Sequence, residues 1–82
     1  MRRHFGRSIK LNGAALPDNV APARQILQKA MDIARSKIEK LGGNVVTEEW
    51  DETKKSLSGP IFSFGIEADG VTDEALKRWD DA

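Results

Sequence analysis

The clearest pattern in the chain is an alternation over residues 61–68. Phe62, Phe64, Ile66 and Ala68 fall on one side, and Ser63, Gly65 and Glu67 on the other. A period of two marks a strand with one buried face. A second alternation covers residues 3–11. Phe5, Ile9 and Leu11 share a side with Arg7 between them, opposite Gly6, Ser8 and Lys10. It predicts a half-buried strand weakened at Gly6. Residues 44–50 predict a third strand, with Val46 and Trp50 on one face and Val45 opposite; Glu48 interrupts its alternation. The charged run that follows, over 51–60, either extends a hairpin arm or forms a solvated loop, and Gly59-Pro60 breaks it.

Between the first two strands the period changes. Ala23, Leu27, Ala30, Ala34, Ile38 and Leu41 recur at spacings of three and four, and Ile26, Met31 and Ile33 widen the stripe. That pattern predicts a helix over 22–41, with an apolar face broad enough to cover a sheet. Pro22 suits its first turn, Pro17-Asp18-Asn19 reads as a break before it, and Gly42-Gly43 ends it. Lys37 and Lys40 suit the negative end of its dipole. After residue 68, Asp69-Gly70 turns the chain and Thr72 caps a short helix that brings Leu76 and Trp79 together. Asp80-Asp81 oppose the dipole at its end.

The order β-α-β-β-(α) predicts a single small α+β domain over 1–82, with one long helix on a three-stranded, mainly antiparallel sheet. The last two strands should be antiparallel neighbours, and the first strand can lie beside either. A chain of 82 residues has room for one modest core and little for a deep pocket. Its apolar fraction of 39% is lean, while a mixed charged fraction of 32% lacks the one-signed excess of a disordered chain.

Charge adds a second kind of pattern. Thirteen basic and thirteen acidic residues cancel. Yet residues 1–40 hold nine basic against three acidic groups, and residues 41–82 hold four against ten, giving +6 and −6. Arg2, Arg3 and Arg7 at the front, with Arg24, Lys29 and Arg35 on the helix, form a candidate anion or nucleic-acid surface. Phe5 can serve that surface as a base-stacking group or pack in the core, and no helix-turn-helix, KH-loop or zinc-finger spacing is visible. The acidic run Glu48, Glu49, Asp51 and Glu52 reads as a solvated edge.

Reactive chemistry is sparse. The single histidine, His4, sits in the basic terminus, and Ser56 and Ser58 have no histidine in sequence to activate them. Glu49 and Asp51 would share a strand face, but an acid–base or cation role for them needs a cleft. The stretch around Asp69-Gly70 fails as a calcium loop: with Gly70 at the sixth position, the first is Gly65 and the twelfth Leu76. No Gly-rich run leads into Lys and Ser/Thr as a phosphate loop requires. The absence of cysteine removes thiolate chemistry and Cys-based metal sites. These features predict a protein that is not an enzyme, with no cofactor, metal or small-molecule substrate.

No stretch approaches the roughly 20 apolar residues that span a bilayer. The basic start is not followed by the apolar run of a secretory leader. A cytoplasmic, non-membrane protein is expected. Three strands covered on one side leave two edges and a bare face, so Val45, Trp50 and Trp79 are candidate protein contacts. The expected function is binding of other protein chains, as an adaptor or assembly protein, self-association into a homo-oligomer included. The alternative is nucleic-acid binding through the basic terminus and the helix.

Overall fold

A computed structural model of the chain describes residues 2–82. Strand β1 spans Arg2–Lys10, helix α1 Pro17–Lys40, strand β2 Asn44–Ser56 and strand β3 Gly59–Asp69. A single-turn helix α2, Asp73–Leu76, and a 3₁₀ turn, Trp79–Asp81, complete the fold. The strands form one sheet in the order β1-β3-β2, with both pairings antiparallel. The result is the α+β arrangement expected, one long helix over a three-stranded sheet. The most strongly alternating strand takes the central place, and β1 and β2 become its edges.

The core lies between α1 and one face of the sheet. From the helix, Ala23, Leu27, Met31, Ala34 and Ile38 are buried, at spacings of four, four, three and four. From β3, Phe62, Phe64, Ile66 and Ala68 meet them, and Leu11, Val71 and Ala75 close the ends. Phe5 and Ile9 of β1 and Val45 of β2 pack against its margins. Leu27, Ile38, Ile66 and Val71 are the largest fully buried side chains. No side-chain polar atom is buried without a partner among the described residues.

Three local expectations are corrected. The helix begins at Pro17 rather than Pro22, which lies inside it on the exposed side. Pro17 occupies the first helical position, and the Asn19 side chain accepts from the Leu16 N–H at 2.8 Å. That contact is half of a capping box. Pro22 can then offer no N–H to the Asp18 carbonyl one turn earlier, but Asp18 is exposed and water can serve that group. The far end is as expected: Gly42 takes φ 86°, the left-handed conformation that lets the chain leave the helix without steric cost.

Val45 does not oppose Trp50. A register shift between Val45 and Thr47 lets Val45 face Ala68 and Trp50 face Phe64, so both lie on the helix side. Val46, in the bulge, turns outward instead. The charged run continues β2 as a hairpin arm to Ser56, with a second irregularity between Asp51 and Lys54.

Ile26 and Ile33 are not core residues. They are 63% and 47% exposed, against 6% for Met31. The reason is width. The helix stripe is broader than three strands can cover, so its β1 side overhangs the sheet. Substitution separates the two classes. Leu27→Ala and Ile66→Ala are expected to lower the free energy of unfolding in urea by about 2–5 kcal/mol. Ile26→Ser and Ile33→Ser should change it by no more than about 0.5 kcal/mol.

Candidate functional site

The basic residues are mostly committed within the fold. Arg2 pairs with Glu67 and Asp69 across β3. Arg3 pairs with Asp73 and donates to the Val71 carbonyl at 2.7 Å, tying the C-terminal segment to β1. Arg24 reaches from α1 to Glu52 of β2, with contacts at 2.6, 2.9 and 3.1 Å. Arg35 spans Asp32 on its own helix and Glu48 on β2. First-half cations thus meet second-half anions, and the +6/−6 split along the chain is largely interleaved in space. Of the candidate anion contacts, Arg7 and Lys29 have no carboxylate partner among the described residues. Arg2, Arg3, Arg24 and Arg35 each already share their charge with a carboxylate, which weakens them as phosphate contacts. The candidates do not form one basic patch.

The two tryptophans are held by different contacts. The Trp50 indole N–H donates to Glu52 at 2.7 Å, and the ring remains 36% exposed. Trp79 stacks on Phe5 with centroids 5.2 Å apart and planes 8° from parallel. Lys37 donates to its backbone carbonyl at 3.0 Å and lies over its ring. Trp79 is therefore largely a latch for the C-terminal segment. Val45 packs against the core margin. Of the three candidate protein contacts, Trp50 offers the most surface.

The sheet face away from α1 is bare. Here the structure gathers His4, Ser8, Glu49, Asp51 and Ser63 around a shallow floor made by Gly6 and Gly65. Gly65 leaves room for the imidazole: a Cβ there would stand 2.8 Å from His4 Nε2, and the ring would have to swing aside. Sequence spacing brought Glu49 and Asp51 together but not His4, which arrives through strand pairing. The depression is open to solvent. Asp51 already accepts from the Thr53 N–H and hydroxyl, which hold its carboxyl below the usual aspartate range. Among the described residues no hydrogen bond links His4 to Ser8, Ser63 or a carboxylate, and no group of metal-ligating side chains forms.

The β1 edge is different in kind. The Leu11 N–H donates to the Pro60 carbonyl at 2.9 Å, and the Gly13 N–H to Ser58 at 2.7 Å. Counting back through the unbroken register, Ile9, Arg7, Phe5 and Arg3 turn their backbone groups toward β3. The antiparallel rule then points those of Lys10, Ser8, Gly6 and His4 outward. Beside this row runs a groove between β1 and α1, floored by Phe5 and Ile9 and roofed by Ile26, Ala30 and Ile33. Arg7 and Lys29 stand at its sides. The β2 edge lacks these features: it carries two register shifts and the charges Glu48, Glu49, Asp51, Glu52, Lys54 and Lys55. Bulges and charge are the usual protection of an exposed edge.

Sequence reasoning missed the groove because Ile26 and Ile33 continue the core stripe without interruption. The available signal was the breadth of that stripe, compared with only three strands to cover it. No protein-family model, curated protein or solved structure matches the chain. No helix among the described residues is long and apolar enough to cross a membrane.

The helix-to-β2 ion pairs predict a pH dependence. Glu48 is held below the ordinary glutamate range chiefly by the hydrogen bond from Arg35, and Glu52 by those from Arg24 and then Trp50. A lowered folded value contributes stability in full above the unfolded value of about 4.3. That contribution is lost as pH falls through the folded value. Urea unfolding should therefore separate the wild type from Glu48→Gln and Glu52→Gln near neutrality, and the differences should vanish in strong acid. They should be small and shrink with salt, because the pairs are partly exposed.

Proposed function

We propose that the chain is a non-enzymatic protein-binding module that captures an extended segment of a partner on the open β1 edge. The observation that carries this reading is the bulge-free β1 edge beside the overhanging Ile26 and Ile33 side chains. Strand addition needs both parts. Backbone groups supply affinity without regard to sequence, and an adjacent groove selects alternate side chains. The other edge is defended, so capture is one-sided. A chain without cysteine suits a reducing, cytoplasmic setting for such binding.

The reading is tested by selecting extended peptides from a random library and mapping amide exchange in their complexes. Binders should slow exchange at His4, Gly6 and Ser8, the amides that face outward. Protection confined to β2 or the bare face, or a complete lack of binders, would refute edge capture. One substitution isolates the edge. Ser8→Pro removes an outward N–H and should preserve the fold while weakening capture at least about tenfold, roughly 1.4 kcal/mol. Ile9→Pro removes a donor to β3 and should destabilise the sheet itself.

A further inference from the structure

The strand register decides which side chains of an added strand enter the groove. Phe5, Arg7 and Ile9 lie opposite the buried Ile66, Phe64 and Phe62, so all three are on the helix side of β1. His4, Gly6 and Ser8 lie opposite Glu67, Gly65 and Ser63, on the bare face. A strand laid along β1 exchanges backbone hydrogen bonds with His4, Gly6 and Ser8. Its residues opposite Phe5, Arg7 and Ile9 form the closer, non-hydrogen-bonded pairs, and their side chains face α1. The intervening side chains face the other way, toward the side that carries Glu49, Asp51 and Glu67.

The groove is not uniform along this row. Ile9 lies with Ile26 in one part, and Phe5 with Trp79 in the other. Arg7, Ala30 and Ile33 border both parts. Arg7 therefore divides two apolar compartments, and Lys29 stands at the rim of the one that holds Ile26. Neither cation has a carboxylate partner among the described residues. The chain itself supplies no acid to this row. The helix-facing residues of a second β1 would be Arg3, Phe5, Arg7 and Ile9, and cations opposite Arg7 are unfavourable. The helix-side acids of β2, Glu48 and Glu52, are already held by Arg35 and Arg24.

We infer that the captured segment belongs to another protein and carries one carboxylate on the row facing α1, opposite Arg7, with an apolar side chain two residues to either side. This identification rests on the strand capture proposed above and gives it a five-residue rule: apolar, polar, acid, polar, apolar. The first apolar side chain enters the compartment of Ile9 and Ile26, and the last that of Phe5. The carboxylate between them meets Arg7, with Lys29 at the rim. Parity makes the rule strict. An acid moved by one residue, to lie opposite Gly6, points to the bare face and away from Arg7. On that face Lys10 lies four residues along the strand, roughly 13 Å away, and Arg2 is already paired with Glu67 and Asp69. A lysine opposite Arg7 is repelled.

Three synthetic peptides test the inference on the intact chain. The first has a central glutamate, valine two residues to either side and threonine elsewhere. In the second, the glutamate trades places with a neighbouring threonine, so composition is equal but the acid changes row. In the third, glutamine replaces the central glutamate. Affinity, read by fluorescence anisotropy at low salt, should favour the first over each of the others by about two- to fivefold. The gap should close as salt rises. Arg7 is exposed and outside the core, so Arg7→Gln should leave the circular dichroism unchanged. That variant should bind the first and third peptides nearly equally, and Arg7→Lys should restore the preference. Equal binding of all three by the wild type, with His4, Gly6 and Ser8 amides protected, would overturn the carboxylate position and leave strand capture standing. Tightest binding of the second peptide, or a preference undiminished by Arg7→Gln, would also overturn it. Failure of all three peptides would overturn the rule alone if the peptide library still yields edge binders, and both readings if it yields none. A dimer by light scattering, with those amides protected in the protein alone, would make the occupant a second copy and overturn the inference.

Discussion

The burial of one helix face on β3 is the contact on which the other features depend. Leu27, Met31, Ala34 and Ile38 lie over Phe62, Phe64, Ile66 and Ala68, and the apolar area removed from water there dominates the stability of so small a domain. Because β3 supplies the deepest part of the core, it must be central, and β1 and β2 must flank it. Two consequences follow from this geometry. The side of the sheet away from α1 is left to solvent. The helix, broader in apolar face than the sheet beneath it, overhangs β1 with Ile26 and Ile33.

Charge reinforces this arrangement without creating it. The first part of the chain is basic and the second acidic, and folding lays one against the other. Arg24 and Arg35 bind α1 to β2, while Arg2 and Arg3 bind β1 to β3 and to the C-terminal segment. Each pair is at least partly solvated, so each contributes little alone. Their collective effect is selective: they neutralise most of the cations that sequence alone would assign to a nucleic-acid surface. The β1 edge keeps Arg7 and Lys10 free of carboxylates among the described residues.

The fold was far more legible than the site. Periods of two and of three to four located three strands and the long helix, because each pattern reflects a face that must be buried. Local chemistry was less transparent. Pro22 looked like a helix start because proline suits a first turn, but Asn19 had already fixed the start one turn earlier. Val45 looked outward because alternation assumes an unbroken register, and a bulge of one residue reverses it. His4 joins Glu49 and Asp51 only through the pairing of β1 and β2 with β3, a relation between residues more than forty apart.

The α+β class, the order of elements, the apolar face of β3 and the lack of thiol and calcium-loop chemistry follow from the order of residues alone. These depend on local periodicity and on which residue types are present. Tertiary structure alone decided the strand order, the internal pairing of the charged halves and the identity of the open edge. Those depend on which distant segments meet. The same distinction separates Leu27 from Ile26: both belong to the apolar pattern of one helix, but only Leu27 has a strand beneath it.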